Sequence, residues 1–166
     1  MIDFETALTL NYISIGELVF RIILAMAFGL ILGIDRDAKN KPIDFRAFVL
    51  VSVTTCLVMV LTQELHLSLA AEGNSLSALD YAKVIAGVLT GIGFLGAGAI
   101  IHKSDDRVIG TATGASIWAA GGMGMAIGFG FYMIALAAFI AIASTLILGG
   151  LCMKVFQGKD DKEKLG

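Results

Sequence analysis

The stretch that decides the fold is VIGTATGASIWAAGGMGMAIGFGFYMIALAAFIAIASTLILGGLCM, residues 108–153. It contains 46 consecutive residues without one charged side chain. As a single helix it would be about 70 Å long, more than twice the thickness of a bilayer core. We therefore predict that the stretch turns back once, at Gly128-Phe129-Gly130, and forms two membrane-spanning helices.

Three further apolar stretches precede it, and each approaches the length of about 20 residues that a spanning helix needs. The first is interrupted only by Glu17 and Arg21, and the next two carry no charge. The sequence thus predicts an all-α integral membrane bundle of five helices. Their expected bounds are 15–34, 47–65, 82–101, 109–128 and 131–155, in one domain over residues 1–156, with a short polar tail at 157–166.

The overall composition agrees with a chain embedded in lipid. Hydrophobic residues make up 57% and charged residues 16%, with a mean hydropathy of +0.87. Soluble domains are about 25% charged, so a soluble enzyme and a disordered chain are excluded. The net charge of −2, without a basic block, argues against nucleic acid as a partner. The first partner expected is the lipid bilayer.

The basic residues predict the orientation of the bundle. Ten of the twelve Lys and Arg residues fall in the first and third loops or after the last helix, all on one side of a five-helix arrangement. Cytoplasmic loops are enriched in Lys and Arg. The N-terminus is therefore expected outside and the C-terminus in the cytoplasm.

Small residues recur at helical spacing in three of the predicted helices. In lipid, such residues allow helix backbones to approach closely, so a packing seam is expected. An alternative is that the third helix unwinds around its glycines and exposes carbonyl groups to an ion. The glycines concerned are Gly29, Gly33, Gly91, Gly93, Gly96, Gly98, Gly110 and Gly114.

Two pairs of opposite charges lie near the predicted outer face. Glu17 and Arg21 are four residues apart in the first helix, and Asp80 and Lys83 begin the third. An ionisable group inside a membrane is costly unless it is paired. We expect a network in which Asp80 holds Arg21 across helices. Local pairs that reach the headgroups are the alternative.

The remaining candidate residues have simpler interpretations. Asp35, Arg36 and Arg46 read as loop charges that anchor the topology. Cys56 is expected to be a small apolar side chain, Thr113 to form a hydrogen bond within the bundle, and Trp118 to face the bundle interior. His66 and His102 fall on opposite faces, so we expect no metal site, no cofactor and no catalytic pair.

Several of these stretches together resemble the MgtC/SapB family of bacterial inner-membrane proteins. The resemblance covers about residues 18–130. The run GIGFLGAGAI at 91–100, with Asp80 before it and Trp118 after it, is its most specific part. The other matching positions are Arg21, Gly29-x-x-x-Gly33-x-Asp35-Arg36, Lys41-Pro42, Arg46, Lys83, Val108-x-Gly110-x-x-Thr113 and Ala115-Ser116.

The chain also departs from the family pattern. It has Asp35 where members usually have Glu, and Gly87 where they often have Gln. Many members carry a soluble C-terminal domain, which we do not expect in a chain that ends about ten residues after its last predicted helix.

The resemblance implies a non-enzymatic inner-membrane protein linked to growth in low magnesium and, in some pathogens, to survival inside host cells. It further implies action through other membrane proteins, the F-type ATP synthase among them, and a homo-oligomer is a further expectation. The alternative is an oligomeric transporter of Mg²⁺ or another ion, in which several copies of Glu17 line a pore.

The predicted orientation can be tested with reporter fusions at both termini. A reporter that works only outside the cytoplasm should be active at the N-terminus, and one that works only in the cytoplasm should be active at the C-terminus. The reason is that five crossings separate the two ends. Activity of both reporters in the same compartment would contradict the five-helix topology.

Overall fold

The computed structural model describes residues 12–37, 43–71, 80–102 and 108–163, and side chains up to residue 150. Five helices account for nearly all of it, which confirms the all-α membrane bundle. One short antiparallel hairpin lies between the third and fourth helices. The elements are α1 (Ile15–Asp37), α2 (Phe45–Ala71), α3 (Tyr81–Gly98), β1 (Ile101–His102), β2 (Val108–Ile109), α4 (Thr111–Gly128) and α5 (Tyr132–Glu163).

The helices α2 and α5 extend further than expected, whereas α3 ends earlier. This helix ends at Gly98 instead of residue 101, and the two-stranded hairpin, which the sequence did not predict, follows it. Gly110 closes the connection with φ of 91°, and a Cβ there would overlap the carbonyl of Ala99. Only glycine fits this combination of positive φ and close backbone contact.

Helix α4 is the centre of the bundle. It contacts each of the other four helices, and 11 of its 18 residues are buried. Among the described residues, the other four helices are the ones long and apolar enough to cross a membrane by composition. Glycine, threonine and serine lower the hydropathy of α4. Its neighbours shield most of it from lipid, so it needs little apolar surface of its own.

Two glycines of α1 allow that helix to pack directly on α2. A Cβ at Gly29 would lie 2.9 Å from the carbonyl oxygen of Phe48, and one at Gly33 would lie 2.8 Å from Phe45 backbone atoms. Neither distance leaves room for a side chain, so these glycines are packing residues as predicted. They bring the α1 and α2 backbones into van der Waals contact.

Glycines also allow α4 to pack closely on two other helices, α3 and α2. Gly114 packs on Gly96 of α3, where an added Cβ would lie 2.5 Å from the Gly96 carbonyl oxygen. Gly124 and Gly128 pack on α2, and a Cβ at Gly128 would lie 2.5 Å from the carbonyl oxygen of Cys56. Because dispersion at short distance holds helices together in lipid, these crossings fix where α4 lies.

Buried hydroxyl groups add hydrogen bonds between the same helices. Ser52 Oγ donates to the Ala25 carbonyl at 2.9 Å, and Thr55 Oγ1 is 3.0 Å from the Gly121 carbonyl. Such bonds between membrane helices contribute about 0.6 kcal/mol on average. They tie α2 to α1 on one side and to α4 on the other.

Three glycines expected to pack do not do so in this chain. Gly91, Gly93 and Gly98 have no atom within 4 Å of an added Cβ, although all three lie in the same helix as Gly96. The reason is that α3 lies at the edge of the bundle and turns only one face towards α4. The helix also stays wound through Gly98, so the carbonyl-exposing alternative is wrong.

Trp118 is a further correction, because 49% of it is exposed on the outside of α4 instead of facing the interior. The interior positions of α4 are taken by small and flexible residues that fit between close backbones. Thr113 is buried, with 1% exposed, and its expected hydrogen bond stays a prediction, whereas Cys56 is a buried free thiol. Both occupy the packed side of the bundle.

The end of the chain is helical further than expected. Helix α5 continues to Glu163, through most of the segment predicted to be a polar tail. Several basic residues used for the orientation lie outside the described residues, namely Lys39, Lys41, Lys103, Arg107 and Lys164. The orientation itself stays a prediction.

The packing of α4 predicts opposite effects for two nearby glycines. Gly124→Ala should lower the free energy of unfolding by about 1–3 kcal/mol, because its Cβ would meet Ser52 and Thr55. Gly122→Ala, which meets nothing within 4 Å, should leave stability unchanged or raise it by up to about 1 kcal/mol. Thermal unfolding in detergent measures both, and equal losses would contradict the crossing described here.

Candidate functional site

The most unusual polar residue of the bundle is Arg21, which lies two turns into the apolar helix α1 and is only 4% exposed. A guanidinium group remains charged in proteins and cannot be neutralised by losing a proton. Burying it among apolar helices costs several kcal/mol unless its donors and its charge are matched. Its surroundings therefore define the first candidate site.

Arg21 is bound by four different groups. Nη2 lies 2.5 Å from Glu17 Oε1, and Nη1 donates to the carbonyl of Gly128 at 2.5 Å and to Gln63 Oε1 at 3.0 Å. Nε donates to the hydroxyl of Tyr132 at 3.2 Å. Four of the five N–H donors of the guanidinium are thus satisfied.

These partners come from four helices. Glu17 belongs to α1, Gln63 to α2, Gly128 to the last turn of α4 and Tyr132 to the first turn of α5. The last carbonyl groups of a helix have no partner within it and carry partial negative charge. Arg21 therefore caps the end of α4 and joins it to three other helices.

The turn between α4 and α5 is shaped to admit the guanidinium. Gly130 has φ of 81°, and a Cβ added there would lie 3.1 Å from Arg21 Nη2. A side chain at this position would be strained and would also press on the arginine. The glycine pair predicted to form the turn thus serves the arginine as well.

Glu17 is the exposed part of the cluster. Its side chain is 41% exposed, whereas that of Arg21 is 5% exposed. The hydroxyl of Tyr132 also donates to Glu17 Oε1, at 3.3 Å. The carboxylate balances the charge of Arg21, and part of it remains accessible from outside the bundle. The cluster is therefore an ion pair with a buried base and an accessible acid.

The expected pairing of Arg21 with Asp80 is wrong. Asp80 instead caps its own helix, accepting from the backbone N–H groups of Ala82 at 3.1 Å and Lys83 at 3.3 Å. Lys83 Nζ lies 3.5 Å from Asp80 Oδ2, and its side chain is 84% exposed. The predicted network therefore consists of two separate pairs, because an aspartate just before a helix satisfies the free N–H groups first.

The two arginines at the opposite end of the bundle, Arg46 and Arg36, differ in their burial and in their pairing. Arg46 is exposed and pairs with Asp44, with 2.7 Å between Nε and Oδ2, and its hydrogen bond holds the pKa of that carboxyl below its usual value. Arg36 is 5% exposed, and its Nε lies 3.9 Å from Asp35 Oδ2. Arg46 thus fits the expectation of an ordinary loop charge, whereas the burial of Arg36 does not.

The sequence did not assign Gln63, Gly128 and Tyr132 to the arginine cluster. Gln63 and Tyr132 lie near the ends of apolar stretches, and nothing in the sequence around them indicates which helix they meet. A carbonyl partner such as that of Gly128 leaves no trace in a side-chain pattern. The signal that the sequence offers for these partners of Arg21 is a polar residue near the end of each apolar stretch.

The cluster predicts a graded loss of stability. Arg21→Gln should lower the free energy of unfolding by about 1–3 kcal/mol, because the Gly128 carbonyl and Glu17 lose their donor. Tyr132→Phe should cost about 1 kcal/mol. Lys83→Gln, at an exposed pair, should change nothing measurable. Thermal unfolding of the purified variants checks this order, and a loss for Lys83→Gln equal to that for Arg21→Gln would contradict it.

Comparison with known proteins identifies the family that this chain matches. The model of the MgtC family matches residues 22–153. The chain is 30% identical to Protein SapB of Bacillus subtilis, with 76% of this chain and 53% of that protein covered. It is 31% identical to Protein MgtC of Salmonella typhimurium, with 78% and 51% covered.

A third relative carries a functional name. The chain is 32% identical to YhiD of Escherichia coli K12, whose name marks it as a candidate magnesium transporter, with 70% and 53% covered. The chain thus spans about half the length of these relatives. No solved structure matches it. The match over most of the chain shows that this multi-pass membrane protein belongs to the MgtC family.

Proposed function

We propose that the chain is a non-enzymatic protein of the bacterial inner membrane that serves magnesium homeostasis by binding other membrane proteins. The outward face of α3 is the observation that carries this proposal. Family membership supports the link to magnesium, through the name of the YhiD relative. The F-type ATP synthase is the partner that the family resemblance favours.

The outward face of α3 combines open glycines with an exposed aromatic ring. Gly87, Gly91 and Gly98 have nothing within 4 Å of an added Cβ, and Phe94 beside them is 81% exposed. Positions 87, 91, 94 and 98 follow one stripe of a helix. The face is therefore a shallow groove along the glycines, interrupted between Gly91 and Gly98 by the exposed ring of Phe94.

The contact between α3 and α4 shows what a glycine face of this helix can bind. On the inner side of α3, Gly96 lets the backbone of α4 approach to van der Waals contact at Gly114. Helices in lipid associate through this kind of close approach, because little hydrophobic free energy is gained by pairing. A second glycine stripe pointing outward supports docking of a helix from another protein.

A magnesium transporter is the second candidate, and the name of the YhiD relative favours it. Mg²⁺ requires oxygen ligands in near-octahedral geometry and commonly uses carboxylates. Glu17, the acid within the apolar part of α1, is already bound to Arg21 and Tyr132. A pore would need Glu17 from several copies, each released from its arginine, which is why we prefer the regulatory function.

Reconstitution of the pure protein in liposomes separates the two functions. With an internal magnesium dye, we expect no influx above protein-free liposomes, and no difference between the wild type and Glu17→Gln. Lys83→Gln serves as the control for a charge change away from the arginine cluster. Magnesium entry that Glu17→Gln abolishes would establish the transporter instead.

Docking on α3 is tested by crosslinking in cells. A photoreactive residue at position 94 should capture a membrane protein, whereas one at Met133 of α5, also 78% exposed, should capture less. Gly91→Leu should reduce the capture at least several-fold by filling the groove. Gly149→Leu, at an equally open glycine of α5, should not. Equal capture in both variants would contradict docking on α3.

A further inference from the structure

A groove on the outside of the bundle follows the crossing of α1 and α2, and we call it the α1–α2 groove. Its volume is about 360 Å³, within the range of about 300–1,000 Å³ that is usual for ligand sites. It is lined by Arg46 and by the apolar residues Met26, Ala27, Leu30, Phe45, Val49 and Leu50. Several of these side chains are exposed, so the groove opens to the surroundings of the bundle.

The close packing of α1 on α2 leaves this groove beside it. Gly29 and Gly33 hold the two backbones in contact along one line. The lining positions of α1 lie next to these glycines on the helix surface, and two of them, Met26 and Leu30, are exposed. Between those two, Ala27 has the shortest side chain of the lining and fills little of the space. The groove is therefore open where a larger residue would close it.

The groove has a shallow end and a deep end. Arg46 lies in the first turn of α2, where the apolar part of that helix begins. About two turns further along α2, Ser52 donates to the carbonyl of Ala25, the neighbour of Met26 in α1. Arg46 is thus at the end of the membrane-spanning part, and Met26 is deeper in it. A phospholipid in a bilayer has the same order, with its phosphate at the boundary and its acyl chains further in.

A second groove shows that apolar space alone does not define a ligand. It lies between α4 and α5, has a volume of about 390 Å³ and is lined largely by small residues such as Ala115, Ala119 and Ala141. The described residues that line it include Ser116 and Thr145 but no charged side chain. A cation at the membrane boundary therefore distinguishes the α1–α2 groove.

The shape of the lining favours an acyl chain over a helix as the occupant. Helices in lipid pack where small residues let their backbones approach. Long side chains border the α1–α2 groove at Met26, Leu30 and Leu50, and an incoming helix would meet them before it reached either backbone. A flexible acyl chain, by contrast, fits an irregular apolar gap and gains dispersion contacts along it.

Arg46 supplies the charge that a phosphate group needs. Its side chain is 75% exposed and belongs to the lining of the groove. Asp44 accepts a hydrogen bond from Nε at 2.7 Å and also pairs with Nη2, so the carboxylate contacts two of the three guanidinium nitrogens. A guanidinium carries five N–H donors in a planar fork that matches phosphate oxygens. A phosphate diester at this end would share the guanidinium with Asp44.

We propose that the α1–α2 groove binds one phospholipid molecule from the surrounding leaflet. One acyl chain lies in the groove between Leu30 and Leu50, and the phosphate accepts hydrogen bonds from Arg46. The apolar lining recognises the chain, and the arginine recognises the phosphate. The lipid would join α1 to α2 at the end of the bundle opposite the Arg21 cluster, and its binding is independent of docking on α3.

The test uses the full chain, delipidated in a neutral detergent, with native mass spectrometry as the readout. Phosphatidylglycerol should bind saturably, with one molecule per chain at the tightest site. Diacylglycerol with the same acyl chains, which lacks the phosphate, should bind about fivefold more weakly or worse, because the charge-assisted hydrogen bonds to Arg46 are missing.

Two variants with matched controls separate the phosphate from the chain. Arg46→Gln should weaken the binding of phosphatidylglycerol about fivefold and leave that of diacylglycerol unchanged. Lys83→Gln, at another exposed acid–base pair, should stay within about twofold of the wild type. Ala27→Leu should weaken the binding of both lipids by filling the groove, whereas Ala137→Leu, at an exposed position of α5, should not.

Three outcomes would overturn the proposal. One is equal affinity of Arg46→Gln and the wild type for phosphatidylglycerol, and another is equal affinity of the wild type for the two lipids. The third is a lipid-free dimer of the wild type that Ala27→Leu dissociates, since the groove would then bind a second copy of the chain. If Ala27→Leu does not fold, Ala27→Val replaces it, and unchanged affinity for both lipids would also overturn the site.

Discussion

Everything in this bundle depends on the close approach of α4 to its neighbours. Four of its glycines face the backbones or inward side chains of α2 and α3, and the contacts at Gly114 and Gly128 leave no space for a methyl group. In lipid, this short-range packing replaces the hydrophobic effect that would hold a soluble core together. A helix that its composition alone does not mark as membrane-spanning is thereby held mostly inside the fold.

The carbonyl end of α4 attracts positive charge, and an arginine of α1 lies there. Arg21 meets the carbonyl end, where a cation is favourable, and its remaining donors are taken by Glu17, Gln63 and Tyr132. The pairing of α1 with α4 therefore ends in a closed cluster around Arg21.

The inner and outer faces of α3 connect the fold with the proposed function. Gly96 shows the packing that a glycine allows in this helix, and the outward glycines repeat that surface towards the lipid. The MgtC family match covers residues 22–153, most of the bundle, whereas the chain spans about half the length of the relatives compared. The docking that we propose on α3 concerns a helix that lies within this match.

The sequence by itself determined the all-α membrane bundle, the number of helices and the family, because apolar length and local motifs are written in consecutive residues. It also offered the local Glu17–Arg21 pair as the alternative to an Asp80 network, since four-residue spacing places both on one helix face. Only the tertiary structure decided that Asp80 caps α3, that Trp118 points outward and that Gly91 stays open. Those outcomes depend on which helix stands beside which, and in a chain with little charge pattern, backbone contacts between distant segments settle that arrangement.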